Sequence, residues 1–198
     1  PVYLVDSPTA TCPAAGEVLG DAVPAGRAEI GVQLHPWVSP PFDEDVNEFN
    51  SLAGNLPVEL EREKFRRLRD AIAKTFGTAP LIYRAGRYGV GQATAGSLAE
   101  HGIAIDTSVR SAFDYSAGGG PNFRDHPVRP YWIDRGQRLM ELPLTTVYWG
   151  MLRQLGPWLY PRMWRMPSLR GALARIGMLE RIPLTPEGVT IEEAIRGI

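Results

Sequence analysis

The sequence lacks several features that would assign a protein to a class at once. It has one cysteine and three histidines in 198 residues. The lone Cys12 excludes an intramolecular disulfide and a cysteine-based zinc cluster, which fits a reducing compartment. The 21 basic and 22 acidic side chains leave a net charge of -1, so the positive charge of a dedicated nucleic-acid-binding protein is missing.

Long apolar runs and an initiator methionine are also missing. No segment approaches the roughly 20 uninterrupted apolar residues of a transmembrane helix, and no signal peptide is visible. The first residues, 2–5, already predict a buried strand, and the last, 190–198, predict the start of a helix with Thr190 as its cap. We therefore expect an internal piece of a longer domain, with a cytoplasmic and a cell-envelope location both left open.

The composition that is present is that of a folded globular chain. Hydrophobic residues make up 44% and charged residues 22%, values that exclude a disordered or fibrous protein. The 21 glycines and 18 prolines are spread along the sequence and predict many tight turns and irregular loops. Such loops are where binding and catalytic residues are most often found.

Hydrophobic periodicity predicts alternating strands and helices. Strands are expected at 28–35, 81–85 and 103–106, with helices at 58–76 and 92–101 between them. This order implies parallel strands joined by crossover helices, which is the α/β class. Polar residues at the strand ends are then expected along one rim, where α/β proteins keep their sites.

The remaining segments predict loops, one strand and a helical segment that covers the core. Residues 36–57 and 107–138 predict long loops, and 138–144 predicts a strand stopped by Pro143. Residues 151–181 carry six arginines and one acid among several aromatic residues. They are expected to form a helical cover with snorkelling arginines, because prolines interrupt any long amphipathic face. A membrane-surface segment is the alternative.

Two features near the predicted rim have both structural and functional interpretations. His35 ends a strand on the same face as Gln33 and is either a structural residue or a ligand. The glycine-rich loop 86–91 lies between a strand and a helix, as phosphate-binding loops do, but it lacks their Lys-Ser/Thr pair. We expect it to be a turn that lets neighbouring side chains reach the rim.

Four segments together resemble the polysaccharide deacetylase family with the NodB homology domain, in particular its WalW-like branch, which has a His-Pro-Trp motif. They are Glu-Ile-Gly-Val-Gln-Leu-His-Pro-Trp at 29–37, Tyr-Arg-Ala-Gly-Arg-Tyr-Gly at 83–89, Ile-Asp-Thr-Ser-Val at 105–109 and Met-Glu-Leu-Pro-Leu at 140–144. The resemblance covers roughly positions 2 to 190. It implies a distorted (β/α) barrel, here partial, and a hydrolase that removes N-acetyl groups from the amino sugars of a glycan with a divalent metal, commonly zinc.

The resemblance also implies roles for individual residues. His35 lies where the family binds its metal, and Gln33 stands where a first histidine is expected, although glutamine is a poor substitute for zinc ligands. Arg84 matches the arginine that orients the catalytic carboxylate. Asp106 matches the acid that supports this arginine.

Further residues complete the predicted site. Trp37, Arg87 and Tyr88 are expected to bind the sugar substrate at the rim. The family's aspartate pair, which supplies the base and a metal ligand, is expected upstream of Val2, and its last histidine motif downstream of Thr190. The whole chain, 1–198, would then be one catalytic domain without its terminal portions.

A different class of function stays open as the alternative. Gln33 and the aromatic residues Trp37, Tyr88 and Trp132 also suit a non-catalytic glycan-binding relative of the deacetylases. The sequence leaves the sugar, the metal and the oligomeric state undecided.

Overall fold

The computed structural model describes residues 1–185, 190–192 and 195, and most of the helix predicted over 190–198 lies outside them. The chain divides into two compact units. The first unit consists of Pro1–Val109, Asp114–Asn122 and Pro130–Leu142, and the second of Arg110–Phe113, Phe123–Arg129 and Pro143–Ile198.

The first unit is built on a six-stranded sheet. Its strands are β1 (Val2–Val5), β2 (Glu29–Leu34), β3 (Ile82–Ala85), β4 (Ile105–Asp106), β5 (Tyr131–Trp132) and β6 (Met140–Glu141). The spatial order is β1-β2-β3-β4-β6-β5, and every neighbouring pair is parallel except β5 with β6. This mostly parallel sheet confirms the predicted α/β class, while closure into a barrel stays a prediction.

Four helices accompany this sheet. They are α1 (Ser7–Thr11), α2 (Pro13–Gly20), α3 (Val58–Phe76) and α4 (Thr94–Glu100). The start of α1 is fixed by its capping residue, because the Asp6 Oδ1 accepts a hydrogen bond of 3.1 Å from the Thr9 backbone N–H. The crossover helices predicted at 58–76 and 92–101 are observed as α3 and α4.

Helix α3 supplies much of the core of the first unit. Its buried residues Phe65, Leu68 and Ile72 recur at helical spacing and pack in one cluster with residues of β2 and β3. Burial of each such side chain contributes about 1.5–3 kcal/mol. The helix ends at Gly77, whose φ of 71° is a left-handed conformation that glycine adopts without a Cβ penalty.

Two strand predictions are corrected in detail. The first strand is predicted to be buried, yet Val2 and Tyr3 are 46% and 44% exposed, because β1 lies at the edge of the sheet and, among the described residues, pairs only with β2. The strand expected over 138–144 is limited to β6, since Pro143 has no N–H to extend the ladder.

The second unit combines short helices with a strand pair. Its elements are β7 (Thr146–Trp149), α5 (Gly156–Arg162), α6 (Pro167–Arg175) and β8 (Glu180–Pro183), with β7 and β8 antiparallel. Periodicity predicted the helical character of 151–181 but missed this strand pair, because its partners are far apart in the chain. Within the described residues no helix is long and apolar enough to cross a membrane.

Candidate functional site

Four parallel strands of the first unit end at one edge of the sheet, and predicted site residues lie at these ends. Gln33 of β2 is the register partner of Arg84 of β3, and Asp106 of β4 is the partner of Glu141 of β6. Neighbouring strands lie about 4.8 Å apart, so residues distant in sequence become neighbours here. We call Gln33, His35, Arg84, Asp106 and Glu141 the strand-end cluster. Its position outside the carboxyl ends of parallel strands is the usual place for a site in an α/β protein.

His35 is held closely between two neighbouring segments. It follows β2 directly, is half-buried, and its ring centroid lies 4.6 Å from that of Trp37. On the other side it meets Gly86, where an added Cβ would overlap the His35 Nδ1. The glycine at 86 is therefore required for the approach of the loop after β3 to the histidine. Trp37 itself is 36% exposed.

Arg84 is positioned by a residue of the next strand. Its Nε donates a hydrogen bond of 2.9 Å to the Thr107 Oγ1, which lies directly after β4. In the part of the chain that the structure describes, this is the one side-chain hydrogen bond of Arg84. The two terminal nitrogens of the guanidinium thus remain available for a carboxylate or another oxygen acceptor.

Asp106 is fixed by the turn that follows it. Its Oδ1 accepts hydrogen bonds from the Ser108 backbone N–H, at 2.9 Å, and from the Ser108 hydroxyl. The same hydroxyl accepts a hydrogen bond of 2.8 Å from the Ala85 N–H, which ties the end of β4 to the end of β3. Asp106 is only 4% exposed, so this carboxyl is oriented by the protein and scarcely by water.

Glu141 is the member of the cluster that the sequence analysis did not single out. It is 1% exposed, and its Oε1 accepts a hydrogen bond of 2.9 Å from the Val109 N–H. Burial and the neighbouring charge of Asp106 raise the pKa of Glu141 well above its ordinary value. Burial also raises the pKa of Asp106, against the opposing effect of its hydrogen bonds and of Arg84.

Two adjacent buried carboxyls with raised pKa values retain a proton that isolated carboxyls would lose at neutral pH. A sequence signal for Glu141 did exist. It is the acid within the apolar segment 139–144, placed as the last residue of a short strand.

Arg87 and Tyr88 lie in the strained loop after β3. Both have a positive φ, 53° and 61°, which is uncommon for residues with a side chain and is often found at functional sites. The Tyr88 ring stacks on that of Tyr115 at 5.8 Å. Arg87 donates a hydrogen bond to the Ser51 Oγ and lies 3.3 Å from the Glu48 Oε1. These two predicted substrate-binding residues therefore contact the loops around the cluster, and Arg87 is held by an acid.

A buried lysine anchors the long loop that follows β2. The Lys64 Nζ, on α3, forms an ion pair of 2.9 Å with the Glu44 Oε1. It also donates hydrogen bonds to the carbonyl oxygens of Pro36, Ser39 and Pro41. Both charged side chains are almost fully buried, at 0% and 6% exposure. Lys64 thus fixes the start of the loop predicted over 36–57. The helical periodicity of α3 did not predict that this charged side chain would be buried.

A zinc ion would need more ligands than the two predicted ones. Zinc prefers imidazole, thiolate or carboxylate donors and usually takes at least three from the protein. Among residues 1–185, 190–192 and 195, no three His, Cys, Asp or Glu side chains form a group that could hold a metal ion. The metal predicted at His35 and Gln33 therefore stays a prediction, and no chemical step is assigned to it.

Comparison with known proteins adds little to these residues. No family model matches the chain, and no curated protein matches it. Among solved structures, it is similar to the crystal structure of a presumed polysaccharide deacetylase from Mycobacterium smegmatis, with 21% identity and a TM-score of 0.49. The match covers 73% of this chain and 40% of that protein's length. What this chain does must therefore be inferred from its own residues at the sheet edge.

Proposed function

We propose that the chain is part of a carbohydrate deacetylase, a hydrolase that removes N-acetyl groups from the amino sugars of a glycan, within a partial (β/α) barrel. One observation carries the proposal. The four segments that resemble the deacetylase motifs lie far apart in sequence. Each of them contains the end of one strand, and these strands, β2, β3, β4 and β6, are adjacent and parallel, so the four ends lie at the same edge of the sheet.

The chemistry of the strand-end cluster suits amide hydrolysis. Such a reaction needs a group that stabilises negative charge on the carbonyl oxygen and a group that delivers a proton to the leaving nitrogen. Arg84, held through its Nε, has a forked cation available for an oxygen. The Asp106–Glu141 pair holds a proton at the neighbouring strand ends. Because both carboxyls are almost fully buried, they are positioning residues in this proposal, and the proton for the leaving nitrogen would come from another group.

The sugar would lie against the loops at the rim. Trp37 offers an exposed ring face beside His35, and Tyr88 is held by its stacking on Tyr115. Arg87 extends the polar part of this surface. A divalent metal at His35 and Gln33 stays a prediction. Such a metal would require at least one further protein ligand in addition to these two residues.

The test is acetate release from N-acetylated chitooligosaccharides by the full-length protein that contains this chain, with added zinc and with a chelator. We expect release that falls at least tenfold in Arg84→Lys, because lysine keeps the charge but loses the fork that fixes Arg84 to Thr107 and to an oxygen. Arg135→Lys, a change at an exposed arginine, is the matched control. Absence of acetate in every condition would contradict the proposal.

A glycan-binding relative without catalysis is the second candidate. The exposed Trp37 and the absence of a three-residue metal group among the described residues favour it. Binding of chitooligosaccharides that is lost in Trp37→Ala, together with no acetate release, would support this alternative over the hydrolase.

A further inference from the structure

The second unit exposes a group of large apolar side chains that the proposed function does not use. Each of the six is at least 43% exposed. They are Met151, Leu155, Trp158, Met166, Leu169 and Ile176. A single exposed hydrophobic residue is ordinary on a protein surface, but a group of this size in one segment indicates an interaction surface.

The helices that carry these side chains bury little of their own surface. In α5 the one fully buried residue is Gly156, and α6 has none. Leu155 directly precedes α5 and is three positions from Trp158, while Leu169 in α6 is seven positions from Ile176. Such spacings place residues on one face of a helix. A surface helix normally turns its apolar face toward a core, whereas both of these helices present apolar residues to solvent.

The exposed apolar residues alternate with positive charge. Between positions 151 and 179 the sequence has five arginines and neither Asp nor Glu, although the whole chain has a net charge of -1. Four of these arginines are exposed, namely Arg153, Arg162, Arg165 and Arg175. In the part of the chain that the structure describes, none of the four forms an ion pair with a carboxylate. We call the six apolar residues and these four arginines the basic apolar surface.

Trp158 and Arg162 show how the two kinds of side chain are combined. The Arg162 guanidinium lies 4.0 Å from the centroid of the Trp158 ring and donates a hydrogen bond of 2.8 Å to the Trp158 carbonyl oxygen. Trp158 is nevertheless 56% exposed. A flat apolar ring and a cation are therefore held side by side at the surface. Indole rings and arginines both favour the boundary between water and hydrocarbon, where the ring lies at the level of the headgroups and the cation reaches the phosphates.

This combination favours one class of acidic partner. A nucleic acid or an acidic polysaccharide would neutralise the arginines, but neither has an apolar interior for side chains such as Leu155 and Ile176. An anionic bilayer offers both kinds of contact, because its phosphate groups lie directly above its hydrocarbon.

We propose that the basic apolar surface binds the face of an anionic lipid bilayer. Trp158 and the aliphatic side chains would enter the boundary between headgroups and acyl chains, and the arginines would pair with lipid phosphates. The second unit would thus hold the protein at a membrane surface. Only residues of this unit are used, so the inference is independent of the proposed deacetylation.

The experiment is co-sedimentation of the full-length protein that contains this chain with vesicles. One set is phosphatidylcholine alone, and the other is equal parts phosphatidylcholine and phosphatidylglycerol. We expect binding to the anionic vesicles to be at least about tenfold tighter, because each basic residue near an anionic membrane contributes roughly fivefold.

Two variants test the two kinds of contact separately. Arg162→Gln combined with Arg165→Gln should weaken binding to the anionic vesicles by about tenfold or more, since two cations are lost. Trp158→Ala should weaken it by about fivefold or more, through the loss of apolar surface. The matched controls are Arg27→Gln combined with Arg135→Gln, and Trp132→Ala. They change exposed residues of the first unit and should bind as the unmodified protein does.

Three results would overturn the inference. Binding to neither kind of vesicle would show that the basic apolar surface is covered by protein, either a second copy or another segment. Equal binding to both kinds would exclude recognition of anionic lipid. Binding that is reduced by the arginine changes but not by Trp158→Ala would indicate a surface for acidic polymers. All variants alter exposed side chains, so their circular dichroism spectra should match that of the unmodified protein.

Discussion

Replacing Glu141 by glutamine removes one of the two buried carboxyls at the sheet edge and keeps the shape of the side chain. The amide oxygen introduced by Glu141→Gln can still accept the hydrogen bond from the Val109 N–H, so the change removes mainly an ionisable group. In the unmodified chain Asp106 and Glu141 are register partners on adjacent strands. Their carboxylates, when both are ionised, repel each other inside a buried site.

The size of this repulsion follows from the strand spacing. For two charges about 5 Å apart, as on adjacent strands, and an effective dielectric constant of about 20, Coulomb's law gives about 3 kcal/mol. That energy corresponds to a pKa change of about two units. The Glu141→Gln substitution should therefore remove this repulsion, while burial keeps the pKa of Asp106 raised.

The sign of the pH dependence follows from the raised pKa values. A carboxyl whose folded pKa lies above its unfolded value stabilises the fold at pH below the unfolded value and loses that contribution as the pH rises through the folded pKa. The free energy of unfolding of the unmodified chain should therefore fall by at least about 3 kcal/mol more than that of Glu141→Gln between about pH 5 and about pH 9, because the variant removes both the repulsion and the cost of burying one carboxylate.

Urea unfolding followed by circular dichroism at a series of pH values measures this difference. Glu17→Gln, which alters an exposed acid, should follow the unmodified chain throughout. Asp106→Asn keeps an acceptor for the Ser108 N–H and should reproduce the effect from the other side of the pair. Equal pH slopes for the unmodified chain and both buried variants would refute the coupling of the two carboxyls.

Three other changes have defined outcomes. Lys64→Met should lower the free energy of unfolding by about 3–5 kcal/mol in urea titrations, because Glu44 would be left as a buried charge without its partner. A loss below about 1 kcal/mol would contradict this. Gly86→Ala should displace the His35 ring, visible as shifted imidazole NMR signals, since the new Cβ would overlap its Nδ1; unchanged signals would argue against the close approach. Gly77→Ala should cost about 1 kcal/mol in thermal unfolding because φ is 71° there, and an unchanged melting temperature would disprove that strain.

Much of the fold could be predicted because its signals are local. The helix predicted over 58–76 is α3. It could be predicted because the spacing of its apolar residues and its terminal glycine are both local features of the sequence. The strand-end positions of His35, Arg84 and Asp106 followed in the same way, because alternation and a polar stop identify the end of a strand. The strand pair in the second unit was missed, because its partners are separated by two helices and no hairpin turn joins them in the sequence.

The chemistry of the site depended on pairings between distant residues. The sequence by itself determined the α/β class and which residues end the strands. Only the tertiary structure decided that β6 lies beside β4, so that Glu141 adjoins Asp106 and both retain protons more strongly than exposed acids. It also decided that Lys64 lies inside, bonded to the loop after β2, rather than on the helix surface. Burial and the proximity of charges arise from chain segments that folding brings together, so they cannot be predicted from the local pattern of residue types.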